Sequence, residues 1–211
     1  MTIAQSGGGR APAPAAVILA GGRSQRMHGR DKGQIELAGR RLVDRVIERL
    51  RPQAARLILS APHDYGTGLE HIPDWPEAPK GPAGGVWSAH KWLSARYPEA
   101  EGFLTAPVDG PFLPADLGER LCAGETSAVA SDGVHEHPTF ACWKCRDLEA
   151  AWPHLLRRPQ ISLKALAEAC GVRRVVWADG RVFLNVNSPE DLEAARRLLC
   201  MEAGNARQWA P

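Results

Sequence analysis

Short apolar runs that do not alternate with polar residues recur along this chain, with helical patterns between them. Residues 16–20 (AVILA) run into Gly21 and Gly22, residues 56–61 (RLILSA) follow, and residues 102–108 (GFLTAPV) run into Asp109. A strand that is apolar on both faces must be covered on both faces, and strands separated by helices pair mostly in parallel. The pattern predicts an α/β fold with a mostly parallel sheet. Further strands are expected at 70–73, 126–131, 139–143, 172–177 and 183–186, with a short extended piece at 34–37. Helices are expected at 41–50, 86–97, 114–123, 147–156, 163–169 and 188–201. In the first, Leu42, Val43, Val46, Ile47 and Leu50 share one face and Pro52 ends the run. The last opens with Ser188 as a cap and Pro189 at the first helical position.

Ligands of such sheets bind beyond the carboxyl ends of the strands. That rule selects the loops after Ala20, Val108 and Val186. The first carries Arg23, Arg26, Arg30 and Lys32 against one acid, Asp31, behind two glycines. Glycines let backbone N–H groups approach a ligand, and clustered cations suit a polyphosphate. Neither the Walker A spacing nor G-x-G-x-x-G is present, so a solvated basic turn is the competing reading. In the second loop, Asp109 lies just past a strand, where it would hold Mg2+ or simply fix a turn. In the third, Asn185 and Asn187 share a face if the strand persists, and Asn187 or Ser188 could equally cap the last helix.

Charge and composition exclude several classes. The 211 residues hold 26 basic and 24 acidic side chains, a net charge of +2. That balance argues against a general nucleic-acid binder. No apolar stretch is long enough to span a membrane. Residues 1–15 read as a flexible tail rather than a secretory signal, residues 16–202 as one domain, and residues 203–211 as a frayed end. Five scattered cysteines, with a lone Cys142-x-x-Cys145, lack a disulfide or zinc framework and read as reduced thiols, which points to the cytoplasm.

The segments LAGGRSQRM and GRDKG, at 19–27 and 29–33, resemble the signature of the molybdenum cofactor guanylyltransferases. The likeness extends to Gly81-Pro-Ala-Gly-Gly85, to Pro107-Val-Asp-Gly-Pro111, and to the run from Asp132-Gly to His137-Pro-Thr139. It closes on Phe183-Leu-Asn-Val-Asn-Ser-Pro-Glu-Asp-Leu192, in matching order over about residues 17–200. The resemblance implies a Rossmann-like, three-layer α/β/α nucleotide-diphospho-sugar transferase fold with an antiparallel strand in its sheet. It implies transfer of GMP from GTP to the terminal phosphate of molybdopterin, with Mg2+ as cofactor, and product handed to molybdoenzymes or their chaperones.

The resemblance also assigns residues. Leu19, Ala20, Gly21 and Gly22 would hold the nucleotide, the first two near the guanine. Arg26 and Lys32 would bind its phosphates and stabilise the leaving pyrophosphate. Ser60 stands where the family often has Asn. Asp74 would contact the nucleotide, and Gly81 and Gly84 would let the chain pass close to the base. Asp109 would bind Mg2+, and Asn185 and Asn187 would face the pterin or the metal. The run His137-Pro138-Thr139 would shape the pterin-phosphate pocket. His28 replaces a family glycine and reads as a surface residue. The same fold also serves a molybdopterin cytidylyltransferase or a sugar-1-phosphate nucleotidyltransferase, and a non-catalytic GTP or cofactor handover module is the rival from another class. Of the seven tryptophans, most are expected in the core.

Overall fold

A computed structural model of the chain describes residues 14–21, 31–158 and 160–208. Nine strands and six helices follow in order: β1 (Ala15–Leu19), β2 (Glu36–Leu37), β3 (Arg40–Arg41), α1 (Leu42–Leu50), β4 (Arg56–Ser60), β5 (Glu70–Ile72), α2 (Pro82–Arg96), β6 (Gly102–Pro107), α3 (Leu117–Cys122), β7 (Ala128–Ser131), β8 (Glu136–Lys144), α4 (Cys145–Leu155), α5 (Leu163–Ala169), β9 (Arg173–Val176) and α6 (Pro189–Gln208). Seven strands form one sheet in the order β5-β4-β1-β6-β8-β7-β9. All its pairings are parallel except those of β8, which runs antiparallel to both β6 and β7.

Alternation along each strand divides the core in two. Ala16 and Ile18 of β1, Leu57 and Leu59 of β4, and Leu104 and Ala106 of β6 face Val43, Val46, Ile47 and Leu50 of α1 and Leu117 and Leu121 of α3. Val17, Ile58 and Phe103 point the other way, onto Val86 and Leu93 of α2, Trp152 of α4 and Leu166 of α5. The result is the expected α/β/α sandwich. A third cluster packs Ala195 and half-buried Leu192, Leu198 and Leu199 of α6 against Leu37, Leu42, Phe112 and Val186. It fixes the segment before α6 against the end of β6. Trp87, Trp143, Trp152 and Trp177 are buried, while Trp75 is 36 % exposed.

Helix α3 starts at Leu117, three residues later than expected, and three further elements differ from the sequence expectation. Residues 183–186 do not form a strand: Gly180–Phe183 is a 3-10 turn, capped by the Asp179 carboxylate on the Arg181 N–H. The segment after it makes one backbone bond near the sheet, Val186 N–H to the Asp109 carbonyl at 2.8 Å, because β8 already occupies the place beside β6. Helix α2 begins at Pro82, four residues early, with Gly81 at φ 94° before it and proline at the first helical position. Helix α6 continues past residue 201 to Gln208.

Candidate active site

The carboxyl ends of β1 and β6 lie side by side and open on a cleft of about 510 Å³. Its wall includes Leu19, Gly21, Lys32, Ser60, Asp74, Gly81, Asp109, Thr139, Asn185 and Asn187, all expected from the sequence, together with Gly85, which was not.

Asp109 follows β6 in a turn closed by Gly110 N–H on the Pro107 carbonyl at 3.2 Å, and it is only 7 % exposed. Lys32 arrives from a separate 3-10 turn, Lys32–Gln34, capped by the Asp31 carboxylate, which accepts from the Gly33 N–H at 2.9 Å. The Lys32 ammonium donates to Asp109 Oδ2 at 2.5 Å and to Asn187 Oδ1. Asn187 is held at the start of α6, its N–H donating to the Asp191 carboxylate at 2.9 Å, while Ser188 Oγ accepts from the Asp191 N–H at 3.2 Å. Ser188 therefore caps the helix, and Asn187 lies on the cleft wall.

Segments 77 and 155 residues from Lys32 thus meet at one ammonium. With side chains only 18 % and 10 % exposed, Lys32 and Asp109 attract more strongly than a pair on open surface. Asn185 Oδ1 lies buried with no hydrogen-bond partner among the described residues. A buried amide oxygen without a donor costs free energy unless something fills the place. Asp109, Asn185 and Asn187 bring one carboxylate and two amides to the same wall, oxygen ligands of the kind that suits a hard cation such as Mg2+, which also takes phosphate oxygens and water. No cluster of three or more His, Cys, Asp or Glu side chains offers a rival metal site among the described residues.

The opposite wall is built for close approach. A Cβ on Gly85 would come within 2.9 Å of Ser60 Oγ and 3.2 Å of Leu19 Cδ2, so this glycine keeps the cleft open. Gly84, the glycine chosen from the sequence, points elsewhere. A Cβ there would meet the Pro79 carbonyl oxygen at 2.4 Å, so it serves the packing of α2 against the segment just before it. Ala20 is likewise turned inward, with its N–H on the Ser60 carbonyl at 2.9 Å and its own carbonyl 3.2 Å from the Tyr65 hydroxyl. Gly22, Arg26 and His28 lie outside the described residues.

His137 does not line the cleft. Its Nε2 lies 3.1 Å from Asp132 Oδ2 and its ring stacks on Phe183 at 4.7 Å between centroids. The β7–β8 register jumps from Ala141 to His137 between Val129 and Ala130, so residues 138–140 bulge from β8. A bulge re-aims side chains beside active sites, and here it brings Thr139 to the wall. Pro138, which has no N–H to give a ladder, was the signal for it. Asp132 accepts from the Val134 and His135 N–H groups at 2.8 and 2.6 Å. Those backbone donors, His135 first, then His137, hold its carboxyl well below the usual range. All five cysteines are free thiols.

Comparison with known proteins agrees with this fold. Residues 16–176 match the model of the MobA-like NTP transferase domain. The chain is 42 % identical to a molybdenum cofactor guanylyltransferase of Cereibacter sphaeroides over 195 residues, covering 89 % of this chain and 97 % of that protein. It is 38 % identical to one of Rhodopseudomonas palustris, covering 89 % and 94 %. Among solved structures, molybdopterin-guanine dinucleotide biosynthesis protein A of Archaeoglobus fulgidus superposes with a TM-score of 0.69 at 18 % identity, covering 89 % of this chain and 99 % of that one. The 2-C-methyl-D-erythritol 4-phosphate cytidylyltransferase of Thermus thermophilus superposes at 0.61 with 18 % identity, covering 88 % and 98 %, which speaks for the fold alone. The chain belongs to the MobA-like NTP transferase family, and within it to the molybdenum cofactor guanylyltransferases.

Proposed function

We propose that this nucleotidyltransferase moves GMP from GTP onto the terminal phosphate of molybdopterin, releasing pyrophosphate, with Mg2+ bound at Asp109. The observation that carries the reading is the meeting of Lys32, Asp109 and Asn187 beside a glycine-walled cleft at the ends of β1 and β6.

The attacking group is a phosphate oxygen that is already ionised, so no general base is needed. The described wall of the cleft contains no histidine. What the reaction requires is alignment and neutralisation of charge. Asp109, with Asn187 and Asn185, would hold Mg2+, which when bound neutralises charge on the triphosphate. Lys32 would leave its resting partners and place its ammonium on the phosphates, where it stabilises charge growing on the departing pyrophosphate. Arg26 would add a second cation. Leu19, Gly21, Gly81 and Gly85 would flank the base. The Asp74 carboxylate on the wall would accept from the guanine N1–H and 2-amino group, a donor pair that neither cytosine nor adenine offers. Ser60 would contact the nucleotide, and Thr139 with the asparagines would face the pterin. A cytoplasmic setting goes with this reading, since free thiols persist there.

Pyrophosphate release should be followed with molybdopterin and GTP, CTP, ATP or UTP in turn, with and without Mg2+. GTP is expected to support turnover, and only with the metal. Preference for CTP overturns the guanylyl assignment; GTP binding in calorimetry without turnover makes the protein a handover module instead.

A further inference from the structure

We propose that Tyr65 is a positioning residue for Lys32 and acts through Asp31. This rests on the role given to Lys32 above.

Tyr65 lies outside the cleft wall, in the loop between β4 and β5, and is only 4 % exposed. Its hydroxyl lies 2.9 Å from Asp31 Oδ1 and 3.2 Å from the Ala20 carbonyl. The single proton favours the nearer, charged oxygen. That same Asp31 oxygen accepts the Gly33 N–H and so caps the turn bearing Lys32. The ring meanwhile rests on Gly33: a Cβ at that position would come within 2.7 Å of Tyr65 Cε1. The residue before Lys32 is thus held by the hydroxyl and the residue after it by the ring.

The loop is arranged to present the tyrosine in this way. Tyr65 sits at φ 56°, a region that a bulky side chain seldom occupies. Arg41 holds it there, donating to the Tyr65 carbonyl at 2.7 Å, and Gly66 N–H bonds the Asp64 carboxylate at 2.9 Å. Burial first, and then the Asp31 carboxylate, push the phenol above its ordinary range, so it stays a donor throughout neutral pH. Nothing in this constellation touches the cleft, yet Lys32 reaches Asp109 and Asn187 only if its turn keeps this place.

The test is a double-mutant cycle in the complete enzyme with GTP, Mg2+ and molybdopterin. Tyr65→Phe keeps the ring and removes the O–H. We expect kcat to fall about tenfold, the rate equivalent of one hydrogen bond to a charged group. KM for molybdopterin should stay unchanged, and Tyr65→Phe should add no further loss to Lys32→Ala. Asp31→Asn should couple to Lys32→Ala in the same way. Melting temperature is read alongside: a purely structural tyrosine lowers it while the two rate losses multiply, and multiplying losses overturn the proposal. A slow Lys32→Ala beside a Tyr65→Phe of wild-type kcat also overturns it, leaving the reading of Lys32 intact. A wild-type rate in Lys32→Ala overturns that reading and the proposal together.

Discussion

Asp109 and Asp132 are both carboxylates placed just past a strand and faced by a nitrogen base, and they are used in opposite ways. Asp132 accepts two backbone N–H groups from its own loop, three residues away at most, and its other oxygen faces His137. Backbone donors cannot swing away, so this carboxylate is consumed by the hairpin that carries it. Asp109 takes an ammonium on a flexible side chain from 77 residues away, in a cleft shared with Asn185, whose Oδ1 has no donor among the described residues. A lysine can leave, and what replaces it has the choice of carboxylate and amide oxygens. The difference separates a carboxylate that builds structure from one kept available for a ligand.

The largest effect should come from the second kind. Lys32→Ala and Asp109→Ala are each expected to lower kcat about a hundredfold, the usual loss for one preorganised charge of about 3 kcal/mol. The proteins should remain folded, checked by a cooperative thermal transition. Steady-state pyrophosphate release measures the loss, and wild-type turnover in either variant breaks the distinction drawn between the two carboxylates.

Two neighbouring glycines repeat the comparison in the backbone. Gly84→Ala drives a methyl group onto a backbone carbonyl, which cannot rotate away, and should cost about 1–3 kcal/mol of stability. Gly85→Ala meets the Ser60 hydroxyl and a leucine methyl, which can shift, and should chiefly raise KM for GTP. Urea unfolding and initial rates on both variants give the two numbers. Equal losses of stability would merge the two positions.

How much of this was legible in the sequence follows the same line. The strands and the face of α1 were readable, because burial imposes a local period on neighbouring residues. Gly21 and Asp109 of the cleft wall were readable because they stand just after strands. Gly84 could not be told from Gly85, since only the approach of Pro79 and Ser60 separates them. Of the run His137-Pro138-Thr139, the bulge at 138–140 brings only Thr139 to the cleft and leaves His137 on Asp132, and Pro138 alone hinted at it. Residues 183–186 have a strand's composition but no vacant edge at that place. Tyr65 was invisible, being one aromatic in a turn whose partners lie 34 and 45 residues away. Local periodicity travels through sequence; each of these outcomes was decided through space.

The smallest expected effect tests the other carboxylate. The Asp132 carboxyl is held below its ordinary range by the His135 and Val134 N–H groups and then by His137. Between the folded value and the ordinary one near about 4, the unfolded chain binds the extra proton. The stabilisation is therefore complete above about pH 4 and is lost as pH falls through the depressed folded value. Asp132→Asn keeps an oxygen for the two N–H groups but has no proton to gain, so its melting temperature should fall less steeply on acidification. The other carboxylates contribute equally to both proteins and cancel in the difference. At neutral pH the variant should retain most of its turnover, because no atom of Asp132 lines the cleft. Parallel acid profiles would show that the backbone donors do not hold this charge. A turnover loss as deep as that of Asp109→Ala would mean that the hairpin carboxylate serves the reaction as well as the fold.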